Sequence, residues 1–158
     1  MTTVNLELGQ AHLAPYGKKM VAHAMFDKGK NFLVAGTLLN KQQGNKDVVL
    51  HLLCQGIEIV QKGILLVRDF DKYESKLQKR LGHNLVRGSE ALHKEFKLKP
   101  LKKGPQDELQ ALSDYYRKHL LRYGGIHDVL GGGGRDLEFQ RVFRRAIALT
   151  IYGNKLFK

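Results

Sequence analysis

Residues 48–67, VVLHLLCQGIEIVQKGILLV, form the longest apolar run in the chain. The run lacks the alternation of a half-buried strand and is too long for a buried one, so it predicts a helix apolar on most sides, set in the middle of a bundle. Its polar residues keep to one stripe. His51, Gln55, Glu58 and Lys62 follow at spacings of four, three and four, which stacks them on one side of the helix. That stripe is either the solvent-facing edge of a mostly buried helix or a polar site carrying a carboxylate and an ammonium.

The remaining periodicity is helical almost throughout. Residues 2–8 alternate, with Val4, Leu6 and Leu8 on one side, and read as part of a peripheral arm over residues 1–17. Residues 18–39 carry Val21, Met25, Phe32, Ala35 and Leu39 at helical spacing, after punctuation by Pro15 and Gly17. A polar loop around Gly44 follows, and Asp47 is expected to cap the central helix, which should run to about Phe70. A break is expected at Gly82. Tyr73, Leu77 and Leu81 make a helical face before it, Leu85, Leu92 and Phe96 make one after it, and Asn84 is placed to cap the second helix. Pro105, Asp107 and Glu108 open a further helix that buries Leu109, Leu112, Tyr116, Leu120 and Tyr123 and stops at Gly124 and Gly125. Gly131 to Gly134 form a flexible loop without the Lys-Ser/Thr ending of a nucleotide loop. The last helix, residues 136–152, buries Phe139, Val142, Phe143, Ala146 and Leu149 and exposes Arg141, Arg144 and Arg145. The expected fold is all-α: one domain over residues 1–158, an up-and-down bundle of five or six helices.

Composition adds a direction. The 27 Lys and Arg against 15 Asp and Glu give a formal charge of +12, a field that steers polyanions such as RNA toward the surface. The amino terminus lacks the basic and then apolar layout of a signal peptide. Glu58 and Lys62 would sit near the middle of any membrane span formed by the central helix, so a soluble cytoplasmic protein with no membrane partner is expected. The single cysteine, Cys54, lies in the apolar run and reads as a small buried hydrophobe. No His, Cys or carboxylate set has the spacing of a zinc site, so neither a metal nor another cofactor is expected.

An amphipathic helix, then LHLLCQGIEIVQKGILL, then LGHNL, then LLRYG make up an order of motifs that resembles the HEPN superfamily, over about residues 18–125. These are helical bundles often found beside nucleotidyltransferases or in anti-phage systems. In the most similar branch the second helix carries a pattern like A-I-E-L-x-x-K-x-x-L. Here Gly56, Ile57, Glu58, Ile59, Lys62 and Leu65 stand in it. Gly82 to Leu85 match the following G-H-D/N-L junction, and Arg122 and Tyr123 match a later R-Y.

The resemblance implies a homodimer and, in many members, a metal-independent ribonuclease whose Arg and His, four to six residues apart, meet their copies across the dimer. Arg122 with His127 and Arg87 with His93 fit that spacing. His serves such chemistry as general base or acid, and Arg holds the phosphorane charge. The chain departs from the motif where Gly124 and Gly125 fall between Arg122 and His127. The resulting expectation is a protein that binds or cleaves RNA or a nucleotide, in defence or stress response, with a nucleotidyltransferase or antitoxin as candidate partner. Its catalytic candidates are Arg122, His127 and His83, and its ligand-binding candidates Glu58, Lys62, His83 and Arg122. A non-catalytic dimerisation or interaction module is the alternative.

Overall fold

A computed structural model describes residues 14–119 and 139–158. Among them every regular element is helical: α1 (Pro15–Lys41), α2 (Lys46–Arg68), α3 (Phe70–Glu74), a π-helical turn (Leu77–Leu81), α4 (Leu85–Glu95), α5 (Lys103–Arg117) and α6 (Phe139–Leu156). The central helix is where the apolar run put it. α2 packs against α1, α3, α4, α5 and α6, and Leu53, Ile57, Val60, Ile64 and Leu65 are fully enclosed. By length and composition α2 would also qualify as a membrane span, but 67% of the qualifying window is buried against protein.

The α1–α2 pair is seamed by glycine. The buried stripe of α1 is Ala22, Phe26, Gly29, Leu33 and Gly36, one position on from the series Val21, Met25, Phe32, Ala35 and Leu39 that hydrophobicity picks out. Val21 is exposed. The shift has a steric cause. A Cβ on Gly29 would stand 2.7 Å from the Val60 backbone nitrogen, one on Gly56 would stand 2.5 Å from Leu33 Cδ2, and one on Gly63 would meet the Phe26 backbone at 2.9 Å. The two backbones therefore approach at these glycines, and α1 turns its small residues inward to allow it. Phe26 is gripped from a second side, since a Cβ on Gly153 of α6 would overlap its ring at 2.1 Å and Phe157 stacks on it at 4.7 Å.

Several boundaries differ from expectation for local reasons. α1 begins at Pro15 itself, in the first turn where a missing N–H leaves no bond unmade. Asn45, and not Asp47, caps α2 by accepting from the Asp47 and Val48 amides. Asp47 instead adds a negative charge to the first turn, favourable against the helix dipole. α2 ends at Arg68, because Asp69 turns extended and its carboxylate caps α3 by accepting from Lys72 N. α5 ends at Arg117, earlier than expected, and His119 beyond it has φ 57°. The expected arm over residues 1–17, apart from its last four positions, falls outside the described residues, as do Leu120, Tyr123 and the glycine loop 131–134.

Candidate functional site

Glu58 is 7% exposed, and three side chains from three parts of the fold donate to it. Lys62, one turn further along α2, reaches Oε1 at 2.6 Å. His83 Nδ1 lies 3.0 Å from Oε2, and the Tyr116 hydroxyl donates to the same oxygen at 2.7 Å. The polar stripe of the central helix is thus an enclosed carboxylate hub at Glu58 and Lys62, and not a solvent edge.

Local structure explains why these groups meet. The π-helical turn closes with Gly82 N donating to Leu77 O, and Gly82 takes φ 49°, a left-handed value that a side chain disfavours. The chain reverses there and carries His83 toward α2. Asn84 then caps α4 by accepting from the Val86 and Arg87 amides. Ser113 of α5 accepts from Leu85 N at 3.1 Å, which pins the start of α4 to α5. Tyr116 lies three residues after Ser113, on the same face, and so reaches Glu58. One surface of α5 therefore fixes both the histidine turn and the hydroxyl.

The electrostatics follow from this set of donors. Burial by itself would raise the Glu58 carboxyl, but the hydrogen bonds from Lys62 and His83, the Lys62 charge and the Tyr116 bond outweigh it and hold the group below its ordinary value. With Glu58 ionised, Nδ1 is the His83 nitrogen that donates to it. The His83 side chain is 57% exposed, so the buried carboxylate orients an imidazole that opens to solvent.

Two further imidazoles surround the hub. The His119 ring lies 6.4 Å from that of His83, and the His51 ring 5.6 Å from that of Tyr116. Neither Tyr116 nor His119 stood among the expected site residues. Tyr116 was expected only as core, which its ring is, and its hydroxyl role depends on a partner 58 positions away. His119 follows the end of α5 in a left-handed conformation that helical periodicity does not anticipate.

Of the expected site residues, Glu58, Lys62 and His83 come together. Arg122 and His127 lie outside the described residues. Arg87 and His93, the second pair with Arg-to-His spacing, both stand on α4, where Arg87 donates to the Arg80 carbonyl and His93 Nδ1 is buried with no partner among the described residues. Cys54 is fully buried, and burial, then the Glu58 charge, push its thiol far up, which removes it as a nucleophile.

The described residues thus belong to an all-α protein built around a central helix with a buried, triply bonded carboxylate. No protein-family model, curated protein or solved structure matches the chain.

Proposed function

We propose that this chain is a HEPN-like up-and-down helical bundle that binds RNA and cleaves it without a metal, at the centre formed by Glu58, Lys62, His83 and His119. The observation that carries the reading is the Glu58–His83 contact: a buried carboxylate on Nδ1 of an exposed imidazole is the arrangement that suits a general base. His83 Nε2 takes the proton of an RNA 2'-hydroxyl, whose oxygen attacks the adjacent phosphorus. His119, in its protonated form, delivers a proton to the departing 5'-oxygen as the phosphorus–oxygen bond breaks. The products are a 2',3'-cyclic phosphate and a free 5'-hydroxyl, so atoms and charge balance with no metal in the step.

Lys62 neutralises Glu58 and leaves no surplus charge at the hub. The attraction for RNA comes from the overall charge of +12, with Lys79, Arg80 and Arg87 near His83 in the chain and Arg117 and Lys118 just before His119. Arg122, three positions beyond His119, is the remaining candidate for the phosphorane charge. A homodimer and a nucleotidyltransferase or antitoxin partner belong to the same reading.

A fluorescence anisotropy titration of labelled single-stranded RNA tests the binding half. Binding at low salt that weakens steeply as salt rises supports the reading. No binding at the lowest salt contradicts it and leaves the non-catalytic interaction module, the second reading, which the full hydrogen bonding of Glu58 favours because a satisfied buried network also fixes helix register.

A further inference from the structure

Arg145 does not lie on the exposed side of α6 with Arg141 and Arg144. Its guanidinium turns inward, where its hydrogen bond among the described residues runs from Nη2 to the neutral Ser89 hydroxyl, and Nε is buried with no partner there. Burial pushes the group down to about 10, and no carboxylate among the described residues offsets that effect. A buried cation without a counter-ion is among the more costly features a fold can carry, so an anion that reaches it binds with an advantage set by the fold itself.

Arg145 opens onto a cavity of about 740 Å³ between α5 and α6. The walls are Ile57, Leu101, Leu109, Leu112, Val142 and Ala148, all apolar. The volume falls in the range of small-molecule sites. Among the described residues the charged groups on the lining are Arg141, Arg144 and Arg145 with Asp107 and Glu108, three guanidinium groups against two carboxylates, and Arg141 is already paired with Glu108. Among the described residues one positive charge remains, which suits a monoanion and disfavours a polyphosphate. A smaller cavity of about 80 Å³ shares the Leu101 and Leu109 wall and is lined by Ser89, whose hydroxyl meets Arg145, together with Glu90 and His93.

We infer that the α5–α6 cavity is a binding site for an amphipathic monocarboxylate of fatty-acid type, its chain against the Leu109, Leu112 and Val142 wall and its carboxylate on the Arg145 guanidinium. The planar fork of Arg matches a carboxylate through two parallel bonds. The site is separate from the Glu58 hub and does not depend on its activity.

Isothermal titration of the full chain with dodecanoate, dodecanol and dodecyl phosphate, each below its micelle concentration, tests the inference. The expected result is saturable one-to-one binding of dodecanoate, at least tenfold tighter than dodecanol and tighter than dodecyl phosphate. Arg145→Leu should abolish the preference for dodecanoate over dodecanol while keeping a melting temperature at or above that of the wild type. Ala148→Trp, at an exposed wall position, should block the cavity and remove binding of both ligands even if Arg145→Leu fails to fold. Absence of dodecanoate binding by the wild type, equal affinity for dodecanol, preference for the phosphate, multiple weak equivalents or unchanged binding by Ala148→Trp would each overturn the inference.

Discussion

Tyr116 and Glu58 stand 58 positions apart in sequence and are joined by a 2.7 Å hydrogen bond inside the protein. The bond ties the last turn of α5 to the middle of α2 and helps keep a carboxylate ionised where water is nearly excluded. Tyr116→Phe keeps the ring and deletes only the hydroxyl. A hydrogen bond to a charged group contributes about 1.5–3 kcal/mol, so urea denaturation at neutral pH should show a loss in that range. A midpoint equal to wild type would mean that the bond contributes nothing.

Glu58 makes stability depend on pH in one direction. Its folded-state carboxyl lies below the ordinary value of 4.5, so the stabilisation is full above that value and fades as pH falls through the lowered one. The wild type should lose stability across this acid window, and Glu58→Gln should lose less over the same interval. At neutral pH Glu58→Gln should itself be about 3–5 kcal/mol less stable, since it leaves the Lys62 ammonium, 14% exposed, without its counter-ion. Thermal melts of both proteins between pH 3 and 7 check both statements, and parallel pH curves would refute the first.

The glycine seam should respond by position. Gly63→Ala sets a Cβ 2.9 Å from the Phe26 backbone, which cannot rotate aside, and should destabilise by about 1–3 kcal/mol or more as an overpacked contact. Gly104→Ala, in the first turn of α5, meets among the described residues only the tip of Arg141 at 3.8 Å and should be neutral or stabilise by up to about 1 kcal/mol. Similar denaturation midpoints for the two variants would contradict the close approach of α1 and α2.

Cys54 should be silent in the native state. A thiol pushed up by burial and by the Glu58 charge is neither accessible nor ionised, so a chromogenic thiol reagent at mildly alkaline pH should report almost no reaction until urea is added, and one equivalent afterwards. Rapid native labelling would show that α2 is not the enclosed helix described here.

Much of this arrangement is legible in the residues alone. The apolar run at 48–67 announces α2, the Glu58 and Lys62 spacing announces their pairing, and Gly82 with Asn84 announces the turn that presents His83. What was not legible depends on partners distant in sequence. Gly29 and Gly36 carry no hydrophobic weight, so the inward face of α1 is displaced by one residue in a count of apolar positions. Gln61 looks like one more polar residue, yet it is 1% exposed and donates to the Leu85 carbonyl at 3.4 Å, against Gly88. Arg145 shares its helix with two exposed arginines, and its hydrogen bond to Ser89 of α4 sets it apart from them.

The most direct test of the central claim is an RNA cleavage assay in the presence of a chelator, comparing the wild type with His83→Ala and His119→Ala and identifying the ends produced. The account predicts wild-type cleavage to 2',3'-cyclic phosphate and 5'-hydroxyl ends, with each variant reduced by about 100-fold or more, the scale on which a general acid or base contributes. Intact RNA in the wild-type lane, or cleavage undiminished by both substitutions, would contradict it.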